Sequence, residues 1–368
     1  MIQNDSSDNT LPNWLAIPEF VAKTTTEEKT IRACHQSLAL LSLYGLFAVS
    51  TRESGFLAYA SYASMAYNIQ KIAAVVLGYL VYPAALTSFP FCGRKSIKEE
   101  GAEQIANLRN ESYVVKEFFI KKSGIAYSAI LVTDQTRIKN GKWVICALGN
   151  GMDMETHVYR FAKEHFAYDC NTLLINGPSV VSSKGWPTPY QMGAGFEAGI
   201  QFLEQTIKAT HIIMKGLSLG GAMMAKAIEQ HDFNKGQKDG IQYLSITDRS
   251  FSDLAKTAGA IISQFSSPFM GWIVERIFYL ANLNINAINA AQKLSQLDIT
   301  HIIIQHVSPE AKGGDHIIPD KVSLAVALHE NPTLEHKIFL ESRSILHNKA
   351  LPNGIQNLLN VQIENFLN

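Results

Sequence analysis

Charge is scarce in this chain. Asp, Glu, Lys and Arg make up 17% of its 368 residues, against about 25% in an ordinary soluble domain. The 32 acidic and 32 basic residues cancel. Without a basic excess or a stripe of Lys and Arg, nothing tracks a phosphate backbone, so no nucleic-acid partner is expected. No block of five like charges occurs, which excludes a charged interaction tail. Cysteine is equally sparse. Cys34, Cys92, Cys146 and Cys170 form no C-x-x-C pair and no Cys/His cluster with zinc spacing, so neither a structural metal nor a cofactor is expected. Four reduced thiols are the simpler reading, although four cysteines can also pair in an oxidising compartment. Internal repeats and low-complexity tracts are absent, which removes solenoid and fibrous architectures.

The charge deficit is local. Between residues 37 and 93 three uncharged stretches, 36–51, 54–70 and 72–93, are interrupted only by Arg52, Glu53 and Lys71. A run of ~20 apolar residues can cross a bilayer. Three readings stay open: a transmembrane helix, a membrane-associated hairpin or packed helical cap, and a cleavable signal. For the second, Ala58, Ala60, Ala63 and Ala66 recur at helical spacing, and Pro83 and Pro90 break a continuous span. For the third, Lys29 and Arg32 precede the Leu-rich run and Ala48-Val49-Ser50 follows it, but the run begins late for a secretory signal. Localisation therefore stays open between cytoplasm, membrane surface and export. Residues 1–30 are polar and read as a mobile N-terminus, with a helix opening at Thr24–Thr26 ahead of Glu27 and Glu28, acidic residues where a helix dipole favours them. The expected division is 1–30 mobile, 31–110 apolar and helical, and 111–368 a folded domain.

From about residue 111 the pattern becomes strands alternating with helices. Tyr113–Lys121 and Tyr127–Thr133 alternate with period two around Ser123-Gly124, which suits an antiparallel pair at a sheet edge. Short continuous apolar runs follow at 143–148, 172–175, 211–214, 243–246, 301–304 and 337–340, the pattern of central parallel strands covered on both faces. Helical windows fall between them at 154–166, 193–210 and 219–231. The expected class is α/β, a mostly parallel sheet flanked by helices with right-handed crossovers. Residues 252–295, with Trp272, Phe278, Tyr279 and Leu280, interrupt the rhythm and read as a helical lid or cap.

The run from His211 to Met214 leads into Gly216-Leu217-Ser218-Leu219-Gly220, a G-x-S-x-G between a strand and a helix. A turn that tight strains the serine backbone and leaves no room for a Cβ at Gly216 or Gly220, so Ser218 projects above the sheet. Its place at a helix N-terminus favours developing negative charge. An ordinary glycine-rich turn with Ser218 as N-cap would carry the same letters.

With this context, residues from Tyr113 to Ala350 resemble the α/β-hydrolase superfamily, lipases and esterases among them. The resemblance implies a serine nucleophile followed in chain order by an acid and a histidine. Gly313-Gly314-Asp315-His316-Ile317-Ile318-Pro319 is similar to the family's acid loop, which makes Asp315 the candidate, with Asp320 and Asp298 as alternatives. His347, in the loop after the last strand, is the candidate base, with His316, His329 and His336 as rivals. The oxyanion hole needs two backbone N–H groups. Leu219 would give one and Asn150, or else Gly151, the other, from a Gly149-Asn150-Gly151-Met152 turn in which Leu148 replaces the family's usual histidine. Asn176-Gly177-Pro178-Ser179 with Ser182 and Gly185, and Asp248-Arg249-Ser250-Phe251, also fall where the family places its loops. Together with Glu155 and the apolar N-terminal region, the 149–152 turn resembles SidB-like secreted Legionella proteins and a related chlamydial family, which implies a translocated effector with a lipase fold. The resemblance thus implies an acyl hydrolase acting on a carboxylic ester, lipid or thioester, with a membrane surface as a further partner. A serine peptidase on the same fold, or a binding protein that has kept the fold without the chemistry, are the alternatives.

Overall fold

The computed structural model describes residues 12–51, 55–89, 94–306 and 317–368. A nine-stranded sheet forms its centre, in the order β1-β2-β3-β5-β4-β6-β7-β8-β9. The strands are β1 (Glu19–Val21), β2 (Val114–Lys122), β3 (Ile125–Thr133), β4 (Lys142–Ala147), β5 (Asn171–Ile175), β6 (His211–Leu217), β7 (Gln242–Asp248), β8 (Thr300–His306) and β9 (Lys337–Ser342). β3 runs antiparallel to both β2 and β5, and β5, β4, β6, β7, β8 and β9 are mutually parallel. Each apolar run expected as a strand is one. The mostly parallel sheet flanked by helices is the expected class.

One strand has no counterpart in the sequence reading. β1 pairs with β2 in parallel, and just ahead of it Trp14 packs edge-on against Trp143, ring centroids 5.9 Å apart. The residues expected to be mobile are thus docked from Pro12 onward. A three-residue strand is too short to show period two, so its pairing with β2 is decided by tertiary contact rather than by pattern.

Twelve helices are described: α1 (Thr26–Thr51), α2 (Phe56–Val81), α3 (Arg94–Asn110), α4 (Met154–Phe166), α5 (Pro189–Phe202), α6 (Leu219–Gln230), α7 (Phe233–Lys238), α8 (Leu254–Phe265), α9 (Pro268–Leu280), α10 (Ala287–Gln296), α11 (Leu324–His329) and α12 (Asn353–Leu367). Local rules set their ends. Thr25 and Glu28 exchange side-chain-to-backbone hydrogen bonds at the start of α1, a capping box. Asp153 caps α4 by accepting from the Thr156 N–H. α2 stops at the residues before Pro83, as the missing donor requires. The stripe Ile355, Leu359, Ile363 and Leu367 buries α12 on β6, β7 and β8 at four-residue spacing, each side chain contributing about 1.5–3 kcal/mol of burial. α3 and α4 share that side of the sheet, while α5, α6 and α10 cover the other.

Residues 31–110, expected to be apolar and helical, change in character along their length. α3 is a charged amphipathic helix that packs on α4 through Ile105 and Leu108. α1 and α2 form a hairpin, but its contact face differs from the alanine row at 58, 60, 63 and 66. Ala63 and Ala66 are exposed, and the buried positions in this half of α2 are Ala58, Ser61 and Ser64. The Ser64 hydroxyl lies 2.8 Å from that of Ser42, and Asn68 donates to Ser42 at 2.6 Å. These polar contacts join the two helices. Among the described residues one helix, α2, is long and apolar enough to cross a membrane. The side chains of residues 45–51, where the small-residue signal motif falls, lie outside the described part, as do Arg52, Glu53, Pro90 and Cys92. The thiols of Cys34, Cys146 and Cys170 are free.

Within 252–295 three helices occur, and they do two different things. α10 packs on α6 with Ala287, Ala290, Ala291 and Leu294 and belongs to the layer that flanks the sheet. α8 and α9 form a helical hairpin, closed by Gly259 against Gly271, with Leu254, Ala255, Ala260 and Phe278 reaching the main core.

Candidate active site

The carboxyl ends of β4, β6, β7, β8 and β9 converge, and the candidate residues hang from them. β6 leads into Ser218, which sits at φ +54°, ψ −121° and opens α6. That left-handed φ is costly for any residue but glycine and is the strain expected of the turn. The neighbours explain how it is held. A Cβ on Gly220 would lie 2.1 Å from the Ala147 carbonyl oxygen, and one on Gly216 would lie 2.6 Å from Gly221 Cα. Backbone presses on both positions, so α6 can leave the sheet this close only over glycine. The Ser218 N–H donates to the Asp248 carbonyl at 2.8 Å, and the Ser250 hydroxyl donates to the Ser218 carbonyl at 2.8 Å.

His347 lies in the loop after β9, half-buried, with Nε2 2.9 Å from Ser218 Oγ. Serine and imidazole, 129 residues apart in sequence, meet at hydrogen-bond distance. Two of the rival histidines are elsewhere. His336 pairs with Asp298 at 3.1 Å, at the amino ends of β9 and β8 and thus at the opposite end of the sheet. His329 holds Glu341 at 2.9 Å. Asp298 is excluded with its partner, and Asp320 sits in a short 3-10 turn before α11. Asp315, with Gly313, Gly314 and His316, lies outside the described residues.

The turn after β4 passes over the serine. A Cβ on Gly149 would lie 3.6 Å from Ser218 Cβ, and Gly149 accepts from the Met152 N–H to close the turn. Asn150 and Gly151 are exposed at its tip, Gly151 at φ +75°. Leu219 is the first residue of α6, so its N–H has no carbonyl one turn back to bond to. Among the described residues no cluster of His, Cys, Asp or Glu is arranged to hold a metal. A cleft of about 910 Å³ between α2 and the start of α5 is lined by Lys71, Trp186 and Tyr190 but not by Ser218 or His347.

Asn176, at the end of β5, was legible only as a loop residue and turns out to tie the turn's neighbourhood together. Its side-chain oxygen accepts from the Met154 N–H, and its amide donates to both carboxylate oxygens of Glu155, at 3.0 and 2.8 Å. Farther along the same loop, Ser179 lies 3.0 Å from the Tyr79 hydroxyl and the Val181 N–H donates to Thr87, so this segment receives the end of α2. Burial of Glu155 pushes its carboxyl up to about 7, against the lowering effect of Asn176. A carboxyl raised in this way binds its proton more tightly folded than unfolded, so stability falls as pH rises from the ordinary carboxylate range through about 7. Glu155→Gln should flatten that part of the pH–stability curve and gain on the order of 3 kcal/mol at pH 8. Urea unfolding at pH 5 and pH 8 measures it, and an unchanged pH slope would contradict it.

A mostly parallel sheet with this strand order, an elbow after one of its inner strands and the histidine loop after its last one define the α/β-hydrolase fold. Within that class the chain belongs to the family described as Chlamydia CHLPS protein (DUF818), whose model matches residues 74–368. The match begins inside α2, so the end of α2 and all of α3 belong to the family unit. No curated protein matches the chain. Solved structures share the fold at low identity. An α/β hydrolase from Vibrio vulnificus is 14% identical, with a TM-score of 0.57 over 78% of this chain and 91% of its own. An esterase from Pyrococcus furiosus is also 14% identical, with a TM-score of 0.50 over 70% of this chain and 92% of its own.

Proposed function

We propose that the chain is a serine-dependent acyl hydrolase that cleaves carboxylic esters or thioesters through an acyl-enzyme. The observation that carries this is the 2.9 Å contact between His347 Nε2 and the hydroxyl of a strained elbow serine. Ser218 Oγ attacks the substrate carbonyl while Nε2 takes its proton, and His347 then returns that proton to the leaving oxygen or sulfur. Water attacks the acyl-enzyme by the same route in reverse and frees Ser218. The Leu219 N–H and one N–H from the 149–152 turn, Asn150 or Gly151, hold the oxyanion. Asp315, which falls between β8 and α11 in sequence, is assigned to orient the imidazole.

The molecular surface favours acyl groups presented at an apolar interface. Along α2, Phe56, Leu57, Ile72 and Leu80 are exposed, and on the α8–α9 hairpin so are Phe265 and Trp272. Exposed large apolar side chains grouped on a few elements mark contact surfaces rather than ordinary solvent faces. The α8–α9 hairpin serves as the cap in this scheme.

p-Nitrophenyl esters from acetate to palmitate, with and without detergent micelles, test the proposal. Wild type should turn them over, Ser218→Ala should not, and micelles should raise the rate on long chains. Folded wild-type protein that cleaves no ester in either condition would overturn it. Preference for short esters, indifferent to micelles, would remove the interfacial part alone.

A further inference from the structure

Asp248-Arg249-Ser250, at the carboxyl end of β7, takes no part in the chemistry above, yet it touches both halves of it. Arg249 is 4% exposed and sits at φ +49°. Its Nε and Nη2 donate to the two carboxylate oxygens of Asp248, at 2.7 and 2.8 Å. Its Nη1 donates to the carbonyls of Leu346, at 2.7 Å, and Lys349, at 2.6 Å. From the end of β8, the 2% exposed His306 adds a third hold, Nδ1 donating to the Ile345 carbonyl at 2.9 Å. These carbonyls bracket His347 on both sides, in a stretch between β9 and α12 that has no helix or strand of its own. The same three residues of β7's end grip Ser218, through the Asp248 carbonyl and the Ser250 hydroxyl.

We infer that Arg249, assisted by His306, is a positioning clamp that sets the His347 loop against Ser218. A buried guanidinium is costly unless its fixed fork of N–H donors is satisfied, and here the fork is matched on one side by a carboxylate and on the other by two loop carbonyls. Asp248 cancels the charge, so Arg249 delivers donors without leaving a net charge beside the imidazole. Lysine cannot replace it, because a single ammonium does not span that geometry. The left-handed φ of Arg249 persists because these four bonds over-determine it. The catalytic consequence rests on the acyl-hydrolase proposal; the clamping of the loop does not.

Arg249→Lys tests both, since it keeps a cation opposite Asp248 and avoids the bare buried carboxylate that Arg249→Ala would leave. A thermal melt first establishes that the variant is folded. Amide hydrogen exchange at 345–349 should then be faster than in wild type; unchanged exchange overturns the clamp whatever the enzyme does. Next, the rate of Ser218 labelling by a fluorophosphonate is measured for Arg249→Lys in the wild-type and His347→Ala backgrounds. A displacement of ~1 Å at a reacting group costs roughly 100-fold, so a loss of that size is expected with His347 present and less than about twofold without it. Equal losses in both backgrounds would show a merely structural role and overturn positioning through His347, as would an undiminished rate. A folded wild type that takes no label sinks the hydrolase proposal instead, and the exchange result alone then decides the clamp.

Discussion

His347→Ala should cut ester turnover by about 10⁶-fold, the loss that follows when a serine's proton acceptor is removed from a triad acting as a unit. The reason is local. A serine hydroxyl is a poor nucleophile at neutral pH and becomes a good one only as its proton leaves during attack. Nε2 of His347, 2.9 Å from Ser218 Oγ, is positioned to take it. What survives should be the ~10³–10⁴-fold acceleration that oxyanion binding alone provides over water. Because the pair acts together, Ser218→Ala and the double variant should be no slower than His347→Ala by more than about tenfold. Steady-state hydrolysis of p-nitrophenyl butyrate at matched folded concentrations measures this. A loss of tenfold or less in His347→Ala would mean that another group takes the proton.

Gly220→Ala should be severely destabilising. The added Cβ would sit 2.1 Å from the Ala147 carbonyl oxygen and 2.5 Å from that of Leu148. Both contacts are backbone, at the end of the strand that also carries the candidate oxyanion turn, so no rotamer change relieves them. Overpacking a core usually costs about 1–3 kcal/mol; here α6 must lift off β4, and the cost should exceed that range. Because the lift moves Leu219 and Ser218 together, activity should vanish with stability rather than after it. Gly151→Ala is the control. A Cβ there meets nothing within 4 Å, and only its φ of +75° is violated, a strain of about 1–2 kcal/mol. Chemical denaturation of the two variants should therefore separate them clearly. If Gly220→Ala unfolds no more easily than Gly151→Ala, the tight elbow described above is wrong.

Much of this was legible because the relevant signals are periodic or stereochemical. The continuous apolar runs marked the parallel strands, since a strand buried on both faces needs no polar alternation. G-x-S-x-G marked the elbow, since the turn's sterics demand glycine at two fixed offsets. The helical window 154–166 matched the bounds of α4, at whose start the structure places Asp153 as the cap. Other features gave no signal of that kind. β1 is three residues long and exists because β2 offers an edge. The serine-lined seam between α1 and α2 looked like an alanine seam because small residues of both kinds recur at similar spacing. The split of 252–295 into the α8–α9 hairpin and a sheet-flanking α10 depends on what each helix packs against, which hydrophobicity alone does not tell. Arg249 is the clearest omission. A charged residue after a strand reads as solvent-facing, and only the fold reveals that two carbonyls 97 and 100 residues away are its partners. The doublet Asp248-Arg249, two opposite charges closing an apolar strand, was the available hint.

The central claim is that Ser218 is an activated nucleophile. Its most direct test is fluorophosphonate labelling of the full chain, with the modified peptide mapped by mass spectrometry, alongside Ser218→Ala. The account predicts a single adduct on Ser218, absent from the variant, with labelling that His347→Ala slows. A folded wild type that stays unlabelled in buffer and in detergent, or an adduct on any other residue, would contradict it.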